Sequence, residues 1–212
     1  MTGRLIALEG GEGSGKSTQA RLLAERLDAV LTREPGGTRL GEEIRRLVLE
    51  GTDEMDSRTE ALLMAAARAQ HVSEVIRPAL EQGRHVVTDR FTPSSLAYQG
   101  FGRGLDAGEI ANLSRWATGG LSADLVVLLD VPDEIRRART GTPRDRLEAA
   151  GEEFHDRVIA GFREMAARAA RSSEATSPEV GSWEVVDGSG SIDDVAQLVW
   201  QAWVRREQRL AS

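Results

Sequence analysis

The chain has no cysteine among its 212 residues. That excludes disulfides, thiolate zinc sites and cysteine nucleophiles, and it leaves the compartment unstated. Lysine is nearly missing as well: of 27 Lys and Arg residues, only Lys16 is a lysine. Arginine serves at almost every basic position, yet position 16 keeps an ammonium. A surplus of positive charge is also lacking, with a formal net charge of -7 and an isoelectric point near 5.2. This balance argues against a general binder of nucleic acid or anionic membranes and leaves room for a local basic pocket. The opening MTGRLIALEGG holds an apolar run too short for a signal peptide or a membrane span. The expectation is a soluble, cytoplasmic protein with no membrane partner. There is no internal repeat, heptad run or domain linker, and the three histidines (His71, His85, His155) lack metal spacing and read as structural. The length suits one domain over 1–212.

What is present alternates in period. LIAL at Leu5 to Leu8 is a short apolar run ending in glycines, which favours a buried strand. STQARLLAERL puts Ala20, Leu23 and Leu27 on one helical face. AVLTR reads as a strand, EPGG as a turn, and GEEIRRLVLEG as a helix stopped by Gly51. A long helix is expected from Asp56 to Gln82, capped by Asp56 or Ser57 and kinked or restarted at Pro78. HVVTD (85–89) reads as a strand followed by a glycine-rich loop, and Asp106 caps a helix running to Thr118. DLVVLLDV (124–131) is a strand, PDEIRRA opens a helix, and 140–148 is polar and turn-rich. A helix from about Gly151 to Arg171, the loop SSEATSPEVGS, a strand at WEVVD and a final helix complete the pass. This order predicts an α/β fold: three layers, a parallel sheet of about five strands with helices on both faces, and a small lid at about 139–150.

The lone lysine lies in GGEGSGKS, Gly10 to Ser17, which fits G-x-x-x-x-G-K-[ST] between a strand and a helix. Gly10, Gly11, Gly13 and Gly15 let backbone N–H groups converge on a phosphate, and the following helix adds its positive end. Glu12, Ser14 and Thr18 complete the candidate ATP-binding loop. Lys16 is suited to bridge terminal phosphate oxygens as a mobile point charge, a task for which arginine's rigid fork is a poor substitute. Ser17 offers a hydroxyl to Mg²⁺, and Asp89, at a strand end, can reach the same ion through water. Such a loop serves kinases, GTPases and ATPases alike. Guanine-specific switches need N-K-x-D, and no second lysine exists to build one. DGSG at 187–190 reads as a turn.

Beyond the loop, VVTDRFTPSSLAYQGFGRG (86–104) supplies Arg90 at a strand end, then Ser95, Tyr98 and Gln99, whose amide both donates and accepts and so suits a base edge. Met64 and Arg68, four apart, share a helical face. Together with LEGGEGSGKST, REPGGT, EALLMAAARAQHV and DRLE (145–148), these pieces closely resemble bacterial thymidylate kinases, of the nucleoside-monophosphate kinase group. The resemblance covers almost the whole chain and implies phosphorylation of dTMP to dTDP with ATP and Mg²⁺. It implies that Glu12 holds the 3′-hydroxyl of dTMP, and that Arg68 and Arg90 grip its phosphate. It places Arg45 near that phosphate or the catalytic loop, Ser95 and Gln99 on thymine, Tyr98 under the sugar and Pro35 beside the deoxyribose or base. It implies a lid arginine at the transferred phosphoryl, with Arg139, Arg144 and Arg146 as candidates and Arg146, within DRLE, as the catalytic choice beside Lys16, Glu12 and Arg90. It implies a homodimer built through helices including that of Arg68, with His71, Val72 and Val75 facing the partner or the core. Relatives commonly carry an aromatic at Met64, and the lid is altered at Thr140 to Pro143. Two other readings stay open here: a deoxynucleoside kinase acting on a free 5′-hydroxyl, and a catalytically inactive ATP-binding protein.

Overall fold

A computed structural model describes residues 3–51, 54–141, 145–171 and 182–211. Strands β1 (Leu5–Glu9), β2 (Val30–Arg33), β3 (Val86–Asp89), β4 (Leu125–Asp130) and β5 (Ser182–Asp187) form one parallel sheet in the order β2-β3-β1-β4-β5. Each strand returns through a helix, as parallel pairing requires. The candidate loop SSEATSPEVGS, up to its last residue Ser182 at the start of β5, and Arg144 lie outside the described residues.

Strand alternation explains how both faces become apolar. On β1, Ile6 and Leu8 face one side, packing with Leu125, Val127 and Leu129 of β4 against helices α1 (Lys16–Leu27) and α9 (Ile192–Ala211). Leu5 and Ala7 face the other side. There the sheet meets the turn after α3 (Ser57–His71) through Val72 and Ile76, and α2 (Arg39–Leu49) and α8 (Glu152–Arg171) join Leu128 in one core through Ile44 and Phe162. Among the described residues, then, helices cover both faces of a five-stranded sheet, as the alternating pattern predicts.

The caps also follow the sequence. Asp56 accepts from the backbone N–H groups of Arg58 and Thr59, and Asp106 accepts from Glu109 at the start of α6 (Ala107–Thr118). Thr38 caps α2 by accepting from Gly41. Two stretches depart from expectation. The helix expected to run from Asp56 to Gln82 widens into a π-helical turn over Val72–Ile76 before α4 (Arg77–Glu81) resumes it. The widening falls where Pro78, lacking an N–H, could not serve the carbonyl four residues earlier. The glycine-rich loop expected after β3 is instead a short helix, α5 (Thr92–Ser95), continued as a π-helical segment, Leu96–Gly102. His71 and Val72 are buried in the core, and Val75 is half-buried. Among the described residues, no helix is long and apolar enough to cross a membrane.

Candidate active site

The carboxyl ends of β1, β2 and β3 open on one cleft of about 360 Å³. This is where open parallel sheets bind ligands. Lining it together are Glu12, Gly13, Gly15, Lys16, Ser17 and Thr18 from the loop after β1, and Pro35, Arg45, Met64, Arg68, Asp89, Arg90, Ser95, Tyr98 and Gln99 from the other elements. Gly10, Gly11 and Ser14 complete the loop without lining the cleft. Gly10 has φ 143 and Gly13 φ 72. A side chain at Gly13 would also strike the carbonyl of Arg136 at 2.7 Å, so glycine is required there twice over. Gly15, at the N-cap of α1, gives the helix no side-chain acceptor, and its first N–H groups suit an anion.

Lys16 is buried and donates from Nζ to the carbonyl of Gly11 at 2.7 Å and to Ser14 at 3.3 Å. Burial, then repulsion from Arg90, lowers its pKa to about 7. Arg90 adopts φ 76, a left-handed conformation that a bulky residue rarely holds. Its guanidinium donates to Gly10 O at 3.2 Å, Ser94 Oγ at 3.0 Å and Tyr98 Oη at 2.9 Å. The turn is fastened by Glu9, which sequence reasoning missed. Fully buried, Glu9 accepts from Phe91 N at 2.8 Å and from Ser94 Oγ at 2.6 Å. Burial raises its pKa to about 7. Glu12 is likewise raised to about 7, by burial and then by the neighbouring carboxylates Glu148 and Asp145.

Ser17 Oγ donates to Asp89 Oδ2 at 2.5 Å, while the buried Asp89 Oδ1 has no partner. A hydroxyl beside an orphaned carboxylate oxygen fits Mg²⁺, which keeps several waters and takes few protein ligands.

At the far end of the cleft, Arg68 lines the wall and carries its own set of partners. Its guanidinium is buried and each nitrogen donates: Nε to Glu34 at 2.7 Å, Nη1 to Ser95 at 2.9 Å and Nη2 to Phe91 O at 3.0 Å. Glu34 also meets His71 at 3.0 Å. Burial would raise the Glu34 carboxyl, but Arg68 and His71 hold it below its usual range. Arg68 is thus paired with a buried carboxylate and orients Ser95. Arg45 is less committed, donating to Pro35 O at 2.9 Å; burial and Arg33 lower its pKa. Gln99 is buried and donates to Glu60 at 2.8 Å.

The two lid candidates among the described residues are engaged elsewhere. Arg146 donates to Glu60 at 2.6 Å and Val48 O at 2.9 Å and does not line the cleft. Its charge is matched by a carboxylate that burial has left without water. Arg139, at the end of α7 (Asp133–Arg139), binds the carbonyl of Gly188 at 2.8 Å. Arg136, which the sequence reading did not single out, packs against Gly11 and donates to Glu12 O at 3.3 Å. Glu60 was also missed. It precedes Met64 and Arg68 by four and eight residues, and that helical stripe was the available signal.

A phosphate-binding loop on a parallel sheet, opening into a cleft with a second, polar end, defines a nucleotide phosphotransferase of the P-loop kinase type. Residues 8–198 match the family model described as thymidylate kinase. The chain is 50% identical over 202 residues to a thymidylate kinase of Leifsonia xyli subsp. xyli, covering 92% of this chain and 91% of that one. It is 53% identical over 175 residues to one of Clavibacter sepedonicus, covering 79% and 83% respectively. The crystal structure of a thymidylate kinase from Ehrlichia chaffeensis matches with a TM-score of 0.77 at 31% identity, over 96% of this chain and all of that one. The chain belongs to the thymidylate kinase family.

Proposed function

We propose that the chain transfers the γ-phosphoryl group of ATP to the 5′-phosphate of dTMP, giving dTDP and ADP. The supporting observation is the continuity of one cleft from Lys16 at the phosphate loop to Gln99 at its polar end. The acceptor is already an anion, so no strong general base is needed. The protein must hold two polyanions in line and offset their repulsion. Lys16 and the N-terminus of α1 take the donor phosphates. Arg90, pinned between Gly10 O and Tyr98 Oη, stands where the acceptor phosphate enters, with Arg45 behind it. Ser17 and Asp89 would hold Mg²⁺, whose chemistry here is neutralisation of terminal phosphate charge. Glu12 reaches the sugar, Met64 covers the base, and Ser95 and Gln99 meet its edge. Segment 139–150 acts as a lid whose closure excludes water; an arginine from it reaches the phosphoryl group only after leaving the partners described above.

The homodimer reading has its own support. Leu62 on α3 and Trp116 on α6 are 59% and 83% exposed, and these helices pack side by side.

The deciding experiment is coupled ADP release with dTMP, thymidine and a panel of other nucleoside monophosphates. Turnover strongest with dTMP is expected. Turnover of thymidine with none of dTMP would replace this reading with a nucleoside kinase, and tight ATP binding without turnover would replace it with a binding protein.

A further inference from the structure

The base-reading end of the cleft rests on a carboxylate that does not line it. Glu60, in the first turn of α3, is fully buried. Its Oε1 accepts from Gln99 Nε2 at 2.8 Å. Its Oε2 accepts from Arg103 Nη2 at 3.0 Å and Arg146 Nη2 at 2.6 Å. Burial would raise this carboxyl, but hydrogen bonds from Arg103 and Gln99, with Arg146, hold it below its usual range. It is therefore an ionised group that can only accept.

We propose that Glu60 is a positioning residue that sets the polarity of base recognition: it fixes the Gln99 amide so that the carbonyl oxygen is the group left to meet the base. This rests on the reading of the cleft as a monophosphate site. An amide whose NH₂ faces a buried carboxylate cannot flip, because flipping would bring two acceptors together where no water can intervene. Gln99 is 1% exposed, and among the described residues no hydrogen bond takes its Oε1. An acceptor there fits an N–H donor. Thymine and uracil carry one at N3, whereas cytosine presents a lone pair at the same atom and is repelled. The selection thus originates in a residue one shell removed from the ligand, held ionised by two arginines that flank it from Gly102's neighbour Arg103 and from the 145–150 segment.

The test measures kcat/KM for dTMP and dCMP in the full-length wild type, Glu60→Gln and Arg103→Gln. A glutamine at 60 can turn its own NH₂ toward Gln99 and release the amide. The dTMP-to-dCMP ratio should then fall about tenfold or more, the size of one well-placed buried hydrogen bond. Arg103→Gln removes the Nη2 bond to Oε2 and a long 3.4 Å contact to Oε1, leaves the 2.8 Å Gln99–Glu60 bond in place, and should leave the ratio within about twofold. A ratio unchanged in a cooperatively folded Glu60→Gln overturns the inference, because a purely structural role lowers both substrates alike. Should that variant not fold, side-chain amide hydrogen exchange at Gln99 in the wild type decides: a slowly exchanging Nε2 proton is expected, and fast exchange of both overturns it. A wild type inactive on dTMP but active on another monophosphate overturns the functional reading instead, and the exchange measurement still stands as the test of Glu60.

Discussion

Lys16 and Arg90 are like charges that face one cleft, and the free protein answers by weakening one of them. Burial and Arg90 bring the Lys16 ammonium from 10.5 to about 7. A polyphosphate laid against it reverses the balance, since an opposite charge favours the ammonium. Binding above pH 7 therefore takes up a proton, and affinity falls as pH rises toward the ordinary lysine value. Titration calorimetry of Mg·ATP at about pH 8.5, in buffers of different ionisation enthalpy, should show uptake approaching one proton, lost in Lys16→Met. Equal uptake in the variant would assign the proton to Glu9 or Glu12, whose carboxyls also lie at about 7. At this scale legibility divides along a physical line. The phosphate loop was readable because a phosphate is wrapped by consecutive residues. Glu9, Glu34 and Glu60 were not, because each is defined by partners more than thirty residues away. Arg68 shows the same limit from the other side. Its stripe with Met64 was legible, but its buried partner Glu34, 34 residues away, was not. Removing Glu34 alone would leave a bare buried charge, a loss on the order of 3–5 kcal/mol.

The π-helical segment Leu96–Gly102 brings Tyr98 and Gln99 to the cleft, and it is the element the sequence concealed. One extra residue per turn breaks the 3.6-residue rhythm, so its glycines suggest a loop. The strands β1, β3 and β4 were legible because burial on both faces gives unbroken apolar runs. What keeps the wide turn in place is its packing on α8. A Cβ at Gly161 would lie 2.6 Å from the Phe101 ring and 2.9 Å from Phe101 Cβ. The ring could swing away, but the Cβ is fixed to the backbone and cannot. Gly161→Ala sets two effects against each other: about 1 kcal/mol gained in helix propensity and about 1–3 kcal/mol lost to overpacking. The loss should win because the clash reaches backbone-bound atoms. Expected is a lower denaturant midpoint with an unchanged m-value, and a higher KM for dTMP as Tyr98 and Gln99 shift. A midpoint above wild type would show that the segment yields and that its wide turn is not braced by α8.

At the scale of the whole molecule, α3 is the member shared by everything described. Met64 and Arg68 line the cleft and Glu60 continues their stripe behind it, while Leu62, two residues from Glu60, falls on the opposite side. Covering that outer side would stiffen the helix that sets the base pocket. The neighbouring α6 carries Trp116, 83% exposed, and an exposed indole of that size is enriched where proteins meet. A two-fold interface would place both helices against their copies, and a stable one buries roughly 1,200–2,000 Å². Sedimentation should give twice the 23.0 kDa chain mass at micromolar concentration. The paired change Leu62→Arg and Trp116→Arg should halve it, since buried like charges repel across a two-fold axis. Both positions are exposed within one chain, so the variant should still fold; its KM for dTMP should rise while that for ATP, bound at the other end of the cleft, stays near wild type. A monomeric wild type, or a dimer indifferent to the pair, would move the interface off these helices. A KM that rises for both nucleotides would mean that the helix supports the whole cleft rather than its base-reading end.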